Sequence, residues 1–142
     1  MNDAEVLSVA VEYARRQRVG LLIVAYNAEK TIESVLRRIP AELAGCLAEI
    51  YVIDDFSCDH TAQAAADAAA RLGMQNIRVF RTPANQGYGG NQILGYTYAI
   101  RQGFDVVVML HGDGQYPPEY LPHLIAPFSD PATACTLGSR MV

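Results

Sequence analysis

Short apolar runs alternate with longer amphipathic stretches along this chain. The runs are rich in β-branched and aliphatic residues, and their length is typical of strands buried on both faces. They cover residues 20–26, 49–53, 77–81 and 106–110, and a last strand is predicted near residues 134–138.

The stretches between these runs repeat apolar residues at helical spacing. The predicted helices cover residues 4–17, 30–39, 57–72, 90–102 and 117–128. Pro40 ends the second helix because proline cannot continue one, and Ser57 is predicted to cap the third. Gly73 and Gly103 follow two of the helices at the position where a left-handed residue is favoured.

Strands that alternate with helices predict an α/β fold with a mostly parallel sheet and helices on both faces. The helix within residues 1–18 is expected to stand outside the sheet, and residues 19–142 are expected to form one α/β domain. Because crossovers between parallel strands are right-handed, the carboxyl ends of the strands meet at one edge of the sheet. Ligands of open α/β sheets bind at that edge.

Composition narrows the possible partners. Of the 142 residues, 51% are apolar and 18% charged, which is typical of one globular domain, and the formal charge of −4 gives no basic field for nucleic acid. The three cysteines are odd in number and lack a CxxC pair, which predicts free thiols in a reducing compartment. We also expect no membrane span and no signal peptide, because no apolar stretch has the required length or position.

Polar or glycine-rich segments follow every predicted strand. These segments are residues 25–27, 54–55, 85–89, 111–113 and 138–140. A single polar loop carries no information about function, but five such loops at one edge of a sheet predict a nucleotide site.

Asp113 stands between two glycines at the end of the fourth strand, where the backbone can turn and a ligand can approach closely. Alone it would suit a turn carboxylate that caps the next helix, whereas its place at the ligand edge indicates a metal ion or a ribose. His111, two residues earlier, has two interpretations: a histidine at the core edge that donates to a carbonyl, or a contact to ribose or to a metal-bound water.

Asp54 and Asp55 are adjacent carboxylates that leave the second strand. They could complement the positive end of the next helix, although Asp59 already stands there. We favour hydrogen bonding from a base N–H to Asp55, with Asp54 structural or solvated.

The glycine-rich loop at residues 87–92 resembles a dinucleotide-binding motif only superficially. It follows the third strand, Gln92 stands in place of the third glycine, and no acidic residue ends a strand about 20 residues later. A dehydrogenase is therefore excluded, and the missing phosphate-loop lysine argues against a P-loop NTPase. The glycines serve either close helix packing or ligand contact, and the sequence leaves both open.

Taken in order, these motifs resemble the nucleotide-binding half of an inverting GT-A glycosyltransferase of family 2, in the manner of the polyprenyl- and dolichyl-phosphate sugar synthases. The resemblance covers residues 19–142 and implies a GT-A, Rossmann-like fold. It rests on the segments LLIVAYNAEKTIESVLRRIP, EIYVIDDFSCDHT, NQGYGGN, VVVMLHGDGQYPPE and LGSRM.

The resemblance also implies roles for single residues. Asp113 would bind Mg²⁺ or Mn²⁺ and serve as the catalytic residue, and Gly112 would lie beside it against ribose and diphosphate. Asp55 and Ile53 would hold the base. The remaining candidate contacts to the nucleotide sugar are Ala25, Tyr26, Asn27, Glu29, Asn85, Gly87, His111 and Arg140.

Several positions depart from the family pattern. Val24 replaces the usual proline, and Ala28 replaces an acidic residue for which Glu29 is the nearest substitute. His111 replaces the first Asp of the Asp-x-Asp motif, and Tyr88 replaces the usual lysine of the glycine loop. These changes affect which base is bound and the contacts that the first Asp of the motif would make, while Asp113 is retained.

The implied function is transfer of a sugar from a nucleoside-diphosphate sugar to an acceptor, for which a polyprenyl phosphate is the leading candidate, by one metal-assisted inverting displacement. Membrane contact is expected only through the acceptor or a missing C-terminal part, and the expected location is cytoplasmic, at the inner face of the membrane. Two alternatives remain: a nucleotide-sugar-binding module without turnover, and a sugar-phosphate nucleotidyltransferase. The latter class prefers a glycine-rich basic loop after the first strand, where this chain has AYNAEK.

Overall fold

A computed structural model describes residues 1–139 of the chain. The strands are β1 (Val19–Ala25), β2 (Glu49–Asp54), β3 (Ile77–Arg81) and β4 (Val106–His111). The helices are α1 (Asp3–Arg16), α2 (Ile32–Arg37), α3 (Ala41–Ala44), α4 (Thr61–Arg71), α5 (Gly87–Gln102) and α6 (Leu121–Ile125). Short 3₁₀ turns at Pro118–Tyr120 and Ala126–Ser129 flank α6.

The four strands form one parallel sheet in the order β3-β2-β1-β4. Leu22 on β1 stands opposite Tyr51 on β2 and Met109 on β4, which fixes the register in the middle of the sheet. Every residue of β1 is buried because this strand has a neighbour on each side and helices on each face. The predicted parallel α/β sheet is confirmed.

The two faces of the sheet bury different residues. Leu21 and Ile23 of β1 point into the larger core, which α1, α2, α4 and α6 cover. Leu22 points to the opposite face, where α5 packs so closely that a methyl group added at Gly95 would stand 2.3 Å from a Leu22 carbon. The hydroxyl of the buried Tyr51 donates to the Gly95 carbonyl at 2.9 Å and ties α5 to the sheet.

The N-terminal helix α1 is part of the core. The side chain of Asn2 accepts from the Glu5 amide and the Glu5 carboxylate accepts from the Asn2 amide, both at 2.9 Å, which forms a capping box. The buried side of α1, which includes Val6 and Ala10, packs in the core beside α6.

Two helices differ from their predicted form. The Ser57 hydroxyl donates to Asp54 and does not cap a helix; α4 begins at Thr61, whose amide donates to Asp59 at 3.0 Å. The helix predicted over residues 117–128 is divided into 3₁₀, α and 3₁₀ segments, because Pro122 and Pro127 remove backbone donors from it.

The predicted last strand at residues 134–138 is wrong. These residues form no strand, and the Thr136 hydroxyl donates to the Leu124 carbonyl of α6 at 2.8 Å. The segment therefore packs along α6, and β4 is one of the two edge strands, with β3 at the other edge, among the described residues. Arg140 lies outside the described residues.

Candidate functional site

A cavity of about 410 Å³ opens at the carboxyl ends of β1, β2 and β4. It is lined by residues from four chain segments: Val24, Ala25, Tyr26, Asp55, Asn85, Gly87, Tyr88, Asn91, His111, Gly112 and Asp113. This is the edge at which the sequence predicted a nucleotide site, and eight of the predicted contact residues meet there.

Asp55 is 3% exposed and lies in the wall of this cavity. Its Oδ1 accepts from the Gln86 amide at 2.7 Å and from the Thr82 hydroxyl at 3.1 Å. The Asp55 amide in turn donates to the Ala25 carbonyl at 2.9 Å. These bonds hold the carboxylate rigidly between the ends of β1 and β2 and the loop before α5.

Asp54 has a separate network on the far side of the strand end. Its Oδ1 accepts from the amide and the hydroxyl of Ser57, and Arg81 lies with Nε 3.5 Å from Oδ2. Asp54 is 1% exposed and does not line the cavity, so its carboxylate anchors the loop after β2.

The loop after β4 brings backbone close to the cavity. A methyl group at Gly112 would stand 3.0 Å from the Ala25 side chain, closer than ordinary van der Waals contact, so a side chain there would crowd the end of β1. Asp113 is exposed, and its Oδ1 accepts from the Gln115 amide at 2.9 Å, which closes a tight turn at Gly114 with φ of 75°. The turn therefore holds the Asp113 side chain in place, while its carboxylate is accessible from the cavity.

The start of α5 forms another wall. Asn85 accepts from the Gly87 amide at 3.0 Å and donates to the Asp55 carbonyl at 3.1 Å. A methyl group at Gly87 or Gly89 would meet nothing within 4 Å, so close packing does not account for glycine at these positions. Within the motif only Gly90 is tight, since a methyl group there would stand 2.9 Å from Cβ of Gln86, whereas packing against the sheet falls on Gly95.

His111 is held between aromatic rings. Its Nε2 lies 3.1 Å from the Tyr88 hydroxyl, and the ring centroids of Tyr88 and Tyr116 lie 5.3 Å and 4.8 Å from that of His111. Burial, with smaller contributions from Tyr116 and Tyr96, raises the pKa of Tyr88, so its phenol stays protonated at neutral pH.

Three other predicted contact residues do not line the cavity. Asn27 has a φ of 49°, and its side chain accepts from the Cys58 amide at 3.0 Å. Glu29 accepts from the His60 amide at 3.3 Å, and Ile53 is buried with Leu22 beneath α5. The contacts of Asn27 and Glu29 join the loops after β1 and β2. The predicted roles of all three residues in ligand binding stay predictions, as does that of Arg140.

Tyr88 and Asn91 line the cavity although neither was among the predicted contact residues. Asn91 is buried, and its Nδ2 donates to the Ile53 carbonyl at 3.1 Å. Within residues 1–139 its Oδ1 has no hydrogen-bond partner, and a buried acceptor of this kind suits a donor supplied by a ligand or water. Helical spacing from Tyr88 to Asn91 was the available signal, because it places both on one face of α5.

A larger cavity of about 510 Å³ lies at the ends of α2, α3 and α4, away from the carboxyl ends of the strands. Its charged lining residue, Arg37, is paired with Glu33 at 2.6 Å. The side-chain amide of Asn76 donates to the carbonyls of Ala44 and Leu47. The polar groups of this cavity serve the fold, so the cavity at the sheet edge is the better candidate.

The metal chemistry of the site depends on few groups. Among the residues that the structure describes, no cluster of three or more His, Cys, Asp or Glu side chains could hold a metal ion. Asp113 lines the cavity with an accessible carboxylate, which suits a cation that takes its other ligands from a bound diphosphate and water.

The fold and the site define an α/β domain with a cavity at the carboxyl ends of its parallel strands, and comparison with known proteins gives its family. Residues 21–142 match the sequence model of glycosyl transferase family 2. The chain belongs to this family.

Curated relatives include a dolichol-phosphate mannosyltransferase from Pyrococcus furiosus, 31% identical over 88% of this chain and 34% of the relative. An undecaprenyl-phosphate 4-deoxy-4-formamido-L-arabinose transferase from an Enterobacter species is 34% identical over 77% of this chain and 33% of the relative. The chain thus spans about a third of the length of these two relatives.

Solved structures share the fold at low sequence identity. A mannosyltransferase from Pyrobaculum calidifontis in complex with GDP-Man and Mn²⁺ superposes with a TM-score of 0.66 at 20% identity, over 91% of this chain and 41% of the other. A glucosyl-3-phosphoglycerate synthase from Mycobacterium tuberculosis, in complex with Mn²⁺, UDP and phosphoglyceric acid, gives 0.63 at 22% identity over 89% and 43%. The expected GT-A fold is confirmed.

Proposed function

We propose that this chain binds a nucleoside-diphosphate sugar in the cavity at the sheet edge, as the donor half of a glycosyltransferase. The observation that carries the proposal is the convergence of Asp55, His111 and Asp113 on one cavity of about 410 Å³. Membership in glycosyl transferase family 2 supports this choice of ligand.

The base would lie at the β1–β2 end of the cavity. Two hydrogen bonds from Gln86 and Thr82 occupy Oδ1 of Asp55, so Oδ2 is the oxygen that would accept a base N–H. Tyr26 is exposed at the rim beside Ala25 and offers a ring against which a base can stack.

The diphosphate would lie at the β4 end, beside Gly112 and Asp113. We propose Mg²⁺ or Mn²⁺ as the cation bound by Asp113, supported by the Mn²⁺ in the two related structures. When bound, this cation supplies positive charge to the leaving diphosphate. The chain itself would orient the nucleotide sugar. Asp113 is held in place by its turn, and Gly112 has no side chain and so leaves space for the diphosphate.

The acceptor is proposed to be a polyprenyl phosphate, because the curated relatives are named for dolichol and undecaprenyl phosphate. A phosphate acceptor is already an anion and needs little base catalysis, which agrees with a cavity in which we assign no general base. In residues 1–139 no helix is long and apolar enough to cross a membrane. Contact with the membrane is proposed to occur through the lipid acceptor, at the cytoplasmic face.

A calorimetric screen of GDP, UDP and their sugars, with and without Mn²⁺, tests the proposal. We expect one nucleotide to bind, and to bind more tightly with Mn²⁺. If neither nucleotide binds under either condition, the proposed function is wrong. Binding without transfer to polyprenyl phosphate would instead favour a nucleotide-sugar-binding module.

A further inference from the structure

Tyr88 and His111 both line the cavity, and the contact between them sets which ring nitrogen of His111 can carry a proton. The Tyr88 hydroxyl lies 3.1 Å from Nε2 of His111. In a neutral imidazole one nitrogen donates and the other accepts, so the partner of Nε2 decides the tautomer.

Gln92 determines the direction of this hydrogen bond. Its Nε2 lies 2.9 Å from the Tyr88 hydroxyl and 3.3 Å from Sδ of Met109. A thioether has no proton to donate, so the amide group that faces it must be the NH₂ group. Gln92 therefore donates to the Tyr88 oxygen, which leaves the phenol proton available for Nε2 of His111.

We propose that Tyr88 is a positioning residue that holds His111 in the tautomer with its proton on Nδ1. The ring then carries its one N–H on Nδ1, which can donate to a ligand oxygen, and His111 is not a metal ligand, because Nε2 is occupied by the phenol and Nδ1 has no free lone pair. The T-shaped contact with Tyr116 fixes the plane of the ring.

This assignment deepens the proposed function and rests on it for the nature of the ligand. A donor at this position takes an oxygen acceptor, which a nucleoside-diphosphate sugar offers on its diphosphate and its ribose. His111 would thus contact the ligand directly, while Asp113 alone would supply the protein's negative charge to the cation.

The test measures ¹⁵N shifts of the histidine side chains at about pH 8.5, where an ordinary imidazole is neutral. The chain has three histidines, and the signals missing in His111→Gln identify those of His111. We expect a protonated Nδ1 in the wild type and a shift of the proton to Nε2 in Tyr88→Phe. Tyr96→Phe is the matched control. It removes a phenol from the same helix, but the Tyr96 hydroxyl bonds to Sδ of Met109, so this substitution should leave the tautomer of His111 unchanged.

A second measurement titrates GDP and UDP with Mg²⁺. Loss of one oriented hydrogen bond should make binding to Tyr88→Phe weaker by roughly three- to tenfold, with Tyr96→Phe unchanged. A proton on Nε2 in the wild type, or the same tautomer in Tyr88→Phe, overturns the role of Tyr88 whatever the nucleotides do. A wild type with the proton on Nδ1 that binds neither nucleotide overturns the proposed function and leaves the role of Tyr88 intact.

Discussion

Asp54 and Asp55 are neighbours in the chain, yet their carboxylates belong to different networks. Asp54 is enclosed by Ser57 and Arg81, while Asp55 forms part of the cavity wall. Both accept hydrogen bonds from the chain, so replacing either by alanine would leave buried donors unpaired. Asparagine keeps the shape and one acceptor oxygen, and it separates binding from stability.

Asp55→Asn is expected to weaken nucleotide binding roughly tenfold or more, because a hydrogen bond to a charged acceptor contributes about 1.5–3 kcal/mol. Its midpoint of thermal unfolding should stay near that of the wild type. Asp54→Asn should show the reverse: a lower midpoint, because Arg81 loses its counter-charge, with nucleotide affinity unchanged. Calorimetry and thermal unfolding of both variants check this, and equal losses of affinity would show that Asp55 has no special role.

The orientation of individual side chains could not be predicted from the sequence. The pattern placed Asp55, His111 and Asp113 at the ligand edge because each directly follows a buried strand. Whether a side chain then turns toward the cavity or toward a neighbouring loop depends on contacts between distant residues. Asn27 contacts Cys58 for that reason, and Tyr88 enters the cavity only because α5 starts earlier than its apolar spacing indicates.

At the scale of elements, the strands agree with their predicted ranges to within a residue at each end. The composition of β1 and β2 reflects burial on both faces, a property that the sequence carries locally, whereas the edge strand β3 is largely exposed. The prediction at residues 134–138 was wrong because a strand also needs a partner, and Thr136 bonds to α6 while no described strand lies beyond β4. Helix ends were less accurate because several polar side chains lie before α4, and Asp59, not the predicted Ser57, accepts from the amide of its first residue, Thr61.

The packing of α5 on the sheet predicts a response to alkaline pH. Burial, together with the contact to Glu49, raises the pKa of Tyr98 from 10.0 to about 12, and burial also raises the pKa of Tyr51. The neutral phenol is thus favoured by folding. The stability it provides is fully present below pH 10.0 and is lost as the pH rises through about 12.

Tyr98→Phe should therefore flatten the decline of the free energy of unfolding between pH 10.0 and about 12, with a residual slope from Tyr51. Denaturant unfolding across this range measures the effect. Tyr120→Phe, at a position that is 60% exposed, is the control and should keep the wild-type slope. If Tyr98→Phe also kept the wild-type slope, the buried contact with Glu49 would not be the cause.

For the whole molecule, the parallel sheet and its ligand edge follow from the alternation of strands and helices, and the family follows from the sequence match. The sugar, the base and the acceptor do not follow, because the chain spans about a third of the length of its first curated relatives. The part that can be tested is the donor site, and its central element is Asp113.

Metal-linked nucleotide binding tests this account most directly. Asp113→Ala removes a carboxylate at the cavity, while Asp130→Ala removes one from an equivalent turn, in which Oδ1 accepts from the Ala132 amide at 2.9 Å. Nucleotide affinity is measured by calorimetry with Mn²⁺ and with EDTA. We predict tighter binding with Mn²⁺ in the wild type and in Asp130→Ala, and loss of most of that difference in Asp113→Ala. Equal affinity with Mn²⁺ and EDTA in the wild type, or an unchanged difference in Asp113→Ala, would contradict the account.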